Sequence, residues 1–178
     1  MAYKAKELAS YQFIPADKLL LDTNIWLLVY GPQKPGDSRV ATYSGALSRI
    51  LTAKSHIYID VLIVSEFINA YARLKWNVMG KPHTDFKRFR KSADFKPVAQ
   101  DIAADVKRFL QHCTRVDSGF PSLAVDTMID EYSAGDSDFN DQILTALCKK
   151  EGLKLVTDDG DFKNQGVAVI TANKKLLV

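Results

Sequence analysis

The chain has 178 residues, of which 47% are hydrophobic and 25% are charged, and its formal net charge is +3. These values are normal for a folded domain, and no apolar run approaches the roughly 18 residues that a membrane-spanning helix needs. The composition therefore excludes a membrane-spanning protein and predicts a single domain over residues 1–178.

The N-terminus and the cysteines favour the cytoplasm. Residues 1–10 contain no apolar signal segment and no cleavage site, so we expect a cytoplasmic protein. Cys113 and Cys148 lie far apart, each on the apolar face of a predicted helix, and are interpreted as reduced core residues. The three histidines have no metal-ligand spacing, so any metal should be bound by oxygen.

Hydrophobic periodicity predicts alternating strands and helices in the first half of the chain. Strands are expected at 18–22 and 56–60, and helices at 25–28, 40–51 and 63–74. In the last of these helices, Glu66, Asn69 and Arg73 share a polar face beside the apolar one, because they are three and seven residues apart. Glu66 is therefore expected to point away from the deepest part of the core.

A basic segment at about 78–97 follows. Residues 81–96 hold six lysines and arginines against two aspartates, a local balance of +4. Phe86, Phe89 and Phe95 lie among these charges, and such a composition can hold phosphates while the rings stack on bases. The alternative is a solvated insertion whose three phenylalanines pack onto the body of the domain. The sequence leaves both possibilities open.

The second half predicts more helices and two further strands. A helix follows Pro97, another begins at Pro121 and ends at Gly135, and a third spans 138–150. In the second of these helices, five residues are expected to face inward: Leu123, Val125, Met128, Ile129 and Tyr132. Strands are expected at 153–156 and 167–170. Strands that alternate with helices predict an α/β fold with a parallel sheet covered on both faces.

Four acidic residues are placed where such a sheet would bring them together. They are Asp22, Glu66, Asp141 and Asp159. Asp22 and Asp159 follow strands, and ligands of parallel α/β sheets bind at the carboxyl ends of strands. A cluster of carboxylates without histidine or cysteine selects Mg²⁺ or Mn²⁺, and without a metal it costs stability through mutual repulsion.

Each acid also has a structural interpretation. Asp22 can cap the helix that follows it, and an exposed helical Glu66 can pair with Arg73. Asp138 is well placed as the N-cap of its helix, with Asp141 at the third helical position, so we assign capping mainly to Asp138 and chemistry mainly to Asp141. The acidic run 158–161 can be a solvated turn.

Taken in order, the motifs resemble those of the PIN-domain nucleases, and within them the VapC-type toxins. The matching stretches are LLLD at 19–22 followed by TNIWL, SEF at 65–67, DFNDQILTA at 138–146 and LVTDDGDF at 155–162. The resemblance implies a three-layer α/β/α fold with a central parallel sheet, a Mg²⁺ or Mn²⁺ site and endonucleolytic cleavage of RNA. It further implies a homodimer and a cognate antitoxin protein.

The resemblance also assigns roles. Asp22, Glu66 and Asp141 match the three core metal-binding acids, and Asp159 matches a fourth, more variable one, with Asp161 as the fallback. Asn24 and Thr157 match polar positions that orient the carboxylates or contact the scissile phosphate, and Asp138 supports the site as a cap. Contact with RNA is expected from the basic composition, and not from the resemblance, at Arg73, Lys87, Arg88, Arg90 and Lys91. Whether one or two ions bind stays open.

Other functions compete with this hypothesis. Haloacid-dehalogenase-type phosphatases have an acid two residues after the strand-end Asp, where this chain has Asn24, and the lysine and acceptor Asp of receiver domains are not evident. A catalytically silent module that binds RNA or protein is a further alternative. The chain is also longer than the compact toxins, with extra length at 78–97 and 114–136, which affects the expected target and partner.

Overall fold

A six-stranded parallel sheet forms the centre of the fold. The computed structural model describes residues 4–33, 35–135, 138–163 and 165–177. The strands are β1 (Lys6–Glu7), β2 (Lys18–Leu21), β3 (His56–Ile59), β4 (Cys113–Arg115), β5 (Lys154–Val156) and β6 (Val169–Thr171). Every strand pair is parallel, so each strand needs a crossover to reach its neighbour.

In the described residues, seven α-helices accompany the sheet. They are α1 (Thr23–Tyr30), α2 (Ser38–Thr52), α3 (Val61–Val78), α4 (Phe86–Arg90), α5 (Phe95–Leu110), α6 (Val125–Ala134) and α7 (Phe139–Glu151). The predicted three-layer α/β/α fold with its central parallel sheet is confirmed. Within the described ranges, no helix is both long enough and apolar enough to cross a membrane.

The strand order determines where a ligand can enter. The order across the sheet is β1-β6-β5-β2-β3-β4, so the chain runs outward from β2 through β3 to β4 and later fills the other side with β5 and β6. The direction of winding therefore changes between β2 and β5. In open α/β sheets, the crevice at the carboxyl ends of the strands at such a switch point is the usual ligand site.

The core is built on β2 and the helices that pack over it. Leu19, Leu20 and Leu21 are fully buried, as expected for a strand covered on both faces. On the helical side, the ring of Trp26 stacks on Phe109 with 4.7 Å between centroids, so α1 and α5 contact each other directly. This packing fixes the start of α1 beside the end of β2.

Two expectations about the second half were wrong. The helix predicted from Pro121 begins at Val125, and its expected inward face is only partly covered. Ile129 is 47% exposed and Tyr132 is 55% exposed, whereas Leu123, Val125 and Met128 are half-buried. α6 packs mainly on α7 at the surface of the domain. Its apolar residues recur at helical spacing, but none of them is fully buried. Cys113 lies in β4 and is half-buried, not on a helix, whereas Cys148 is buried in α7 as expected.

The basic segment folds against the body through its aromatic rings. Phe89 is fully buried, and it contacts Phe86 and Phe95 with centroids 6.3 and 5.4 Å away. The ring of Trp76 in α3 lies 5.6 Å from Phe86. The phenylalanines therefore pack onto the domain, as in the second of the two possibilities above, while the cationic groups around them are exposed.

Candidate active site

The site is built on the paired ends of β2 and β5. Leu21 and Val156 are register partners, and Asp22, the residue after β2, donates its backbone N–H to the Val156 carbonyl at 3.0 Å. Asp22 and Thr157 are therefore side by side at the carboxyl edge of the sheet. Both are buried, with 6% of Asp22 and none of Thr157 exposed.

Asp22 is held by neutral donors alone. Its Oδ1 accepts from the Thr23 backbone N–H at 2.6 Å, which caps α1, and its Oδ2 accepts from the Thr157 hydroxyl at 2.7 Å and from the Asn24 amide. Burial raises the pKa of Asp22 to about 6. The hydrogen bonds from Thr157 and Thr23 oppose this rise in pKa, and the negative charges of Glu66 and Asp159 add to it.

Asp141 is the second acid with a displaced pKa. It lies in the first turn of α7, half-buried, and α7 is capped by Asp138, whose Oδ1 accepts from the Asn140 backbone N–H at 2.8 Å. Burial raises the pKa of Asp141 to about 7, and the charge of Asp22 is the next largest cause, followed by Asp138, Asp159 and Glu66. The charge of Asp22 therefore acts on the half-buried Asp141 across the site.

Glu66 and Asp159 complete the cluster from its rim. Both are exposed. Glu66 Oε2 accepts from the Thr23 hydroxyl at 3.0 Å, which ties α3 to the start of α1, while Arg73 instead lies over the ring of Phe86 at 4.6 Å. Asp159 Oδ1 accepts from the Asp161 backbone N–H at 3.0 Å, so the fallback acid supports Asp159 through its main chain.

The loop after β5 is anchored by residues that the sequence did not indicate. Asp158 Oδ1 accepts from the buried Tyr43 hydroxyl at 2.8 Å, and Asp158 Oδ2 pairs with Arg39 at 3.2 Å. Asn173 donates its amide to the Asp158 carbonyl at 2.7 Å. The sequence identifies Tyr43 only as an apolar position of a helix. Its hydroxyl contacts a residue 115 positions away, and such a contact leaves no local sequence pattern.

Asn24 joins the two halves of the site. Its Nδ2 contacts both Asp22 Oδ2 and, at 3.1 Å, Thr157 Oγ1, while its Oδ1 accepts from the Asp158 backbone N–H at 3.2 Å. The Thr157 hydroxyl also accepts from the Asp159 N–H at 3.0 Å. The polar pair Asn24 and Thr157 therefore fixes Asp22 and the loop that carries Asp159 in one hydrogen-bonded unit.

The basic side chains assigned to RNA are not part of this unit. Arg88 pairs with Asp85 at 3.7 Å, and Arg90 lies 6.0 Å over Phe95. Lys87 and Lys91 are exposed on and just after α4. In the described part of the chain, the contacts of these residues are made within the basic segment and the helices under it.

The donor chemistry of the cluster fits a hard divalent cation, because all the side chains are carboxylates with neutral oxygen and amide supports. The pKa values of Asp22 and Asp141 are raised chiefly by burial, and neighbouring carboxylates add to the rise, so both groups become charged only at a cost in free energy. Nevertheless, across residues 4–33, 35–135, 138–163 and 165–177, no group of three or more Asp, Glu, His or Cys side chains is arranged to hold a metal ion as it stands. The carboxylates would have to draw together around one.

Comparisons with known proteins agree with this architecture. A profile of the PIN domain matches residues 19–168. The toxin–antitoxin pair VapBC2 from Rickettsia felis, solved bound to a DNA fragment from its promoter, contains a chain similar in fold, with a TM-score of 0.56 at 15% identity, covering 86% of this chain and 98% of that one. PAE2754 from Pyrobaculum aerophilum has a TM-score of 0.49 at 15% identity over 97% and 94% of the two chains. No curated protein matches by sequence.

Proposed function

This chain belongs to the PIN domain family, whose members are generally nucleases, and from that membership we propose that it is a Mg²⁺- or Mn²⁺-dependent endoribonuclease. The observation that carries the proposal is the set of four carboxylates beside the switch point of the sheet: Glu66 and Asp159 act on Asp22, and all three act on Asp141. Clustered negative charge favours the binding of a cation. A divalent cation bound there could activate a phosphodiester of RNA for hydrolysis.

The chain's own residues hold the acids in place. Asp22 is fixed by Thr23, Asn24 and Thr157, and Asp159 by the loop that Thr157 and Asp161 support. Asp22 Oδ1 accepts one of these bonds and keeps a lone pair for a cation, whereas Asp22 Oδ2 already accepts two. A divalent ion bound by the four acids would lower the pKa of a bound water and offset the charge that develops on the phosphate.

Binding of RNA is assigned to the basic segment. Its rings pack on the domain, so its contribution is electrostatic, through the exposed side chains of Arg73, Lys87, Arg88, Arg90 and Lys91. Changing Lys87, Arg88, Arg90 and Lys91 to Gln should weaken RNA binding and reduce its salt dependence, because each lost phosphate contact lowers the slope of log K against log salt by about 0.7 for a single strand. An unchanged slope of log K against log salt would show that these side chains do not contact RNA.

We further propose a biological setting in which the nuclease is the toxin of a toxin–antitoxin pair, acting in the cytoplasm as a homodimer that a cognate antitoxin protein inhibits. The support is the fold that the chain shares with a chain of a VapBC pair and the motif resemblance to VapC-type toxins. A reading frame for a small partner beside the gene, and inhibition of cleavage by its product, would test this role.

A second candidate function is a catalytically silent PIN module that binds RNA or a protein. It is favoured by the arrangement of the acids, since within the described residues no three of them are placed to hold an ion. The two candidates differ in turnover, because the nuclease must cleave RNA only when a divalent ion is present.

Cleavage of a total-RNA pool by the purified protein tests the proposal. Mg²⁺ or Mn²⁺ should support cleavage that EDTA abolishes and that Asp141→Asn reduces by more than about 100-fold, because losing even an outer partner of a metal ligand costs about 10–100-fold. Asp126→Asn is the matched control, since Asp126 also lies in the first turn of a helix but is exposed on α6. Equal loss in both variants, or cleavage in EDTA, would contradict the assignment.

A further inference from the structure

A cleft opens beside the acidic cluster. It has a volume of about 380 Å³, which lies near the lower end of the roughly 300–1,000 Å³ typical of small-molecule sites. Its walls include Leu27 and Leu28 of α1, Leu74 of α3, Gln33 after α1, Arg39 of α2 and Asp159. We call it the Arg39 cleft.

The Arg39 cleft is continuous with the proposed active site. Asn24, which hydrogen-bonds to Asp22, and Asp159, one of the four acids, both line it. A molecule that occupies the cleft therefore lies directly next to the carboxylates. The walls combine apolar leucine side chains with a few polar groups, a composition that suits a flat ring with a charged substituent.

Arg39 is positioned to bind an anion. Its Nη2 and Nε contact Asp37, with the closest contact at 2.6 Å, and its Nη1 contacts Asp158 at 3.2 Å. These bonds use three of the five N–H groups of a guanidinium. The side chain is 57% exposed, and Asp37 and Asp158 hold the group in one orientation while offsetting its charge, so a phosphate would bind to the two N–H groups that these bonds leave over. A preordered guanidinium of this kind matches the geometry of a phosphate.

The polar groups of the cleft also restrict what can enter. The Gln33 amide donates to the Leu27 carbonyl, which fixes the orientation of its side chain against the wall. Asp158 and Asp159 add negative charge to the lining, and Arg39 supplies a positive group among the same residues. An occupant therefore needs an uncharged, largely flat part for the leucine walls and an anionic part for Arg39.

We propose that the Arg39 cleft binds the nucleotide next to the bond that is cut, with its base against Leu27 and Leu74 and a phosphate on Arg39. The proposal rests on the ribonuclease function proposed above and names a substrate subsite for it. A base held beside the carboxylates places the neighbouring phosphodiester at the acidic cluster, so this cleft selects the position of cleavage.

Methyl NMR of the full chain with nucleoside monophosphates in Mg²⁺ tests the proposal. Ring currents of a bound base should shift the methyl signals of Leu27, Leu28 and Leu74, and leave those of Leu153, which precedes β5 at the opposite edge of the sheet, unchanged. Ribose 5-phosphate, which has no base, should not produce these leucine shifts. Nucleotides that leave the leucine methyls unshifted would overturn the proposal.

Two substitutions separate the roles of phosphate and base. Arg39→Gln should weaken nucleotide binding by about 5-fold or more, Arg39→Lys by less because the charge stays, and Leu74→Ala should weaken binding of bases while leaving ribose 5-phosphate unaffected. Arg108→Gln is the control, because the Arg108–Asp105 ion pair resembles the Arg39–Asp158 pair. Both are 3.2 Å long, the arginine side chains are 62% and 57% exposed, and both aspartates are 14% exposed. Equal effects of Arg39→Gln and Arg108→Gln would overturn the proposal.

Sequencing of cut ends distinguishes this proposal from the nuclease assignment itself. If the protein cleaves RNA, Leu74→Ala and Arg39→Gln should change the nucleotide preference on one side of the cut, whereas Arg108→Gln should not. Cleavage with an unaltered preference in both cleft variants overturns the cleft and leaves the nuclease in place. Leucine shifts with nucleotides but no cleavage support the cleft and count against the nuclease.

Discussion

Two buried aspartates at opposite ends of β2 have opposite electrostatic environments. Asp17, 1% exposed, lies before the strand and accepts from Lys154 at 2.5 Å, from the Tyr11 hydroxyl at 3.1 Å and from the Ile14 N–H at 3.1 Å. Asp22, 6% exposed, follows the strand and has neutral donors only. The sheet thus carries a compensated carboxylate at one edge and an uncompensated one at the other.

The pKa values record this difference. Burial raises the pKa of both groups, but at Asp17 the bonds from Lys154 and Ile14 outweigh it and bring the pKa below its ordinary value. At Asp22, burial wins and Glu66 and Asp159 add to it, giving about 6. A paired buried carboxylate serves the fold, whereas an unpaired one that costs stability indicates a ligand.

The largest expected effect is on cleavage. Asp22→Asn should lower the rate by more than about 100-fold, since it removes a charged oxygen donor while its neutral hydrogen-bond partners stay in place. The measurement is the initial cleavage rate in saturating Mn²⁺. Asp17→Asn, the same substitution at the other end of the strand, should leave that rate within about twofold, and equal rates in the two variants would break the comparison.

The second effect is on stability, and here Asp17→Asn should be more damaging than Asp22→Asn. Asp17→Asn should lower the free energy of unfolding by about 1–3 kcal/mol, because Lys154 loses its buried partner, and Asp22→Asn should leave it unchanged or raise it. Urea unfolding in EDTA measures both. The double variant Asp17→Asn, Lys154→Met should lose less than Asp17→Asn alone, since no unpaired charge remains. A larger loss in the double variant would show that the ion pair is not the cause.

The third effect is the pH dependence of the stability of the metal-free protein. Folded Asp22 and Asp141 keep their protons to about pH 6 and 7, whereas an unfolded chain releases them near pH 4, so the free energy of unfolding should fall as pH rises from about 4 to 7, by roughly 1–3 kcal/mol. Asp17 acts the other way, since its stabilisation is complete above about pH 4 and is lost only below it.

Urea unfolding at pH 5 and pH 8 in EDTA measures this slope. The double variant Asp22→Asn, Asp141→Asn should flatten it, and Asp126→Asn should keep it. A slope that survives in the double variant would have to come from other groups, and the carboxyl edge would then not be the destabilised end of the sheet.

The sequence predicted the fold well because its signals are local. The apolar run of β2, the periodic helices and the acids at element ends are all visible in short windows, and the parallel sheet follows from their alternation. β1 was missed because a strand of two residues has no pattern. α6 was misplaced because periodicity shows an apolar face but not whether another element covers it.

The site was only partly predictable for a similar reason. Asp60 ends β3 as Asp22 ends β2, and both are buried acids before a helix. Asp60 also accepts from neutral donors, the N–H groups of Leu62 and Ser118, so hydrogen bonding alone does not distinguish it from Asp22. The position of an Asp at a strand end does not separate the two; the surrounding charges do, and those come from residues distant in the sequence.

Anomalous diffraction from crystals soaked in Mn²⁺ tests the central claim most directly. We expect a peak bounded by the carboxylates of Asp22 and Asp141 at the ends of β2 and α7, none beside the paired Asp17, and loss of the peak in Asp141→Asn. Crystals that take up Mn²⁺ elsewhere, with no peak between Asp22 and Asp141, would contradict the claim that the uncompensated edge of the sheet is a metal site.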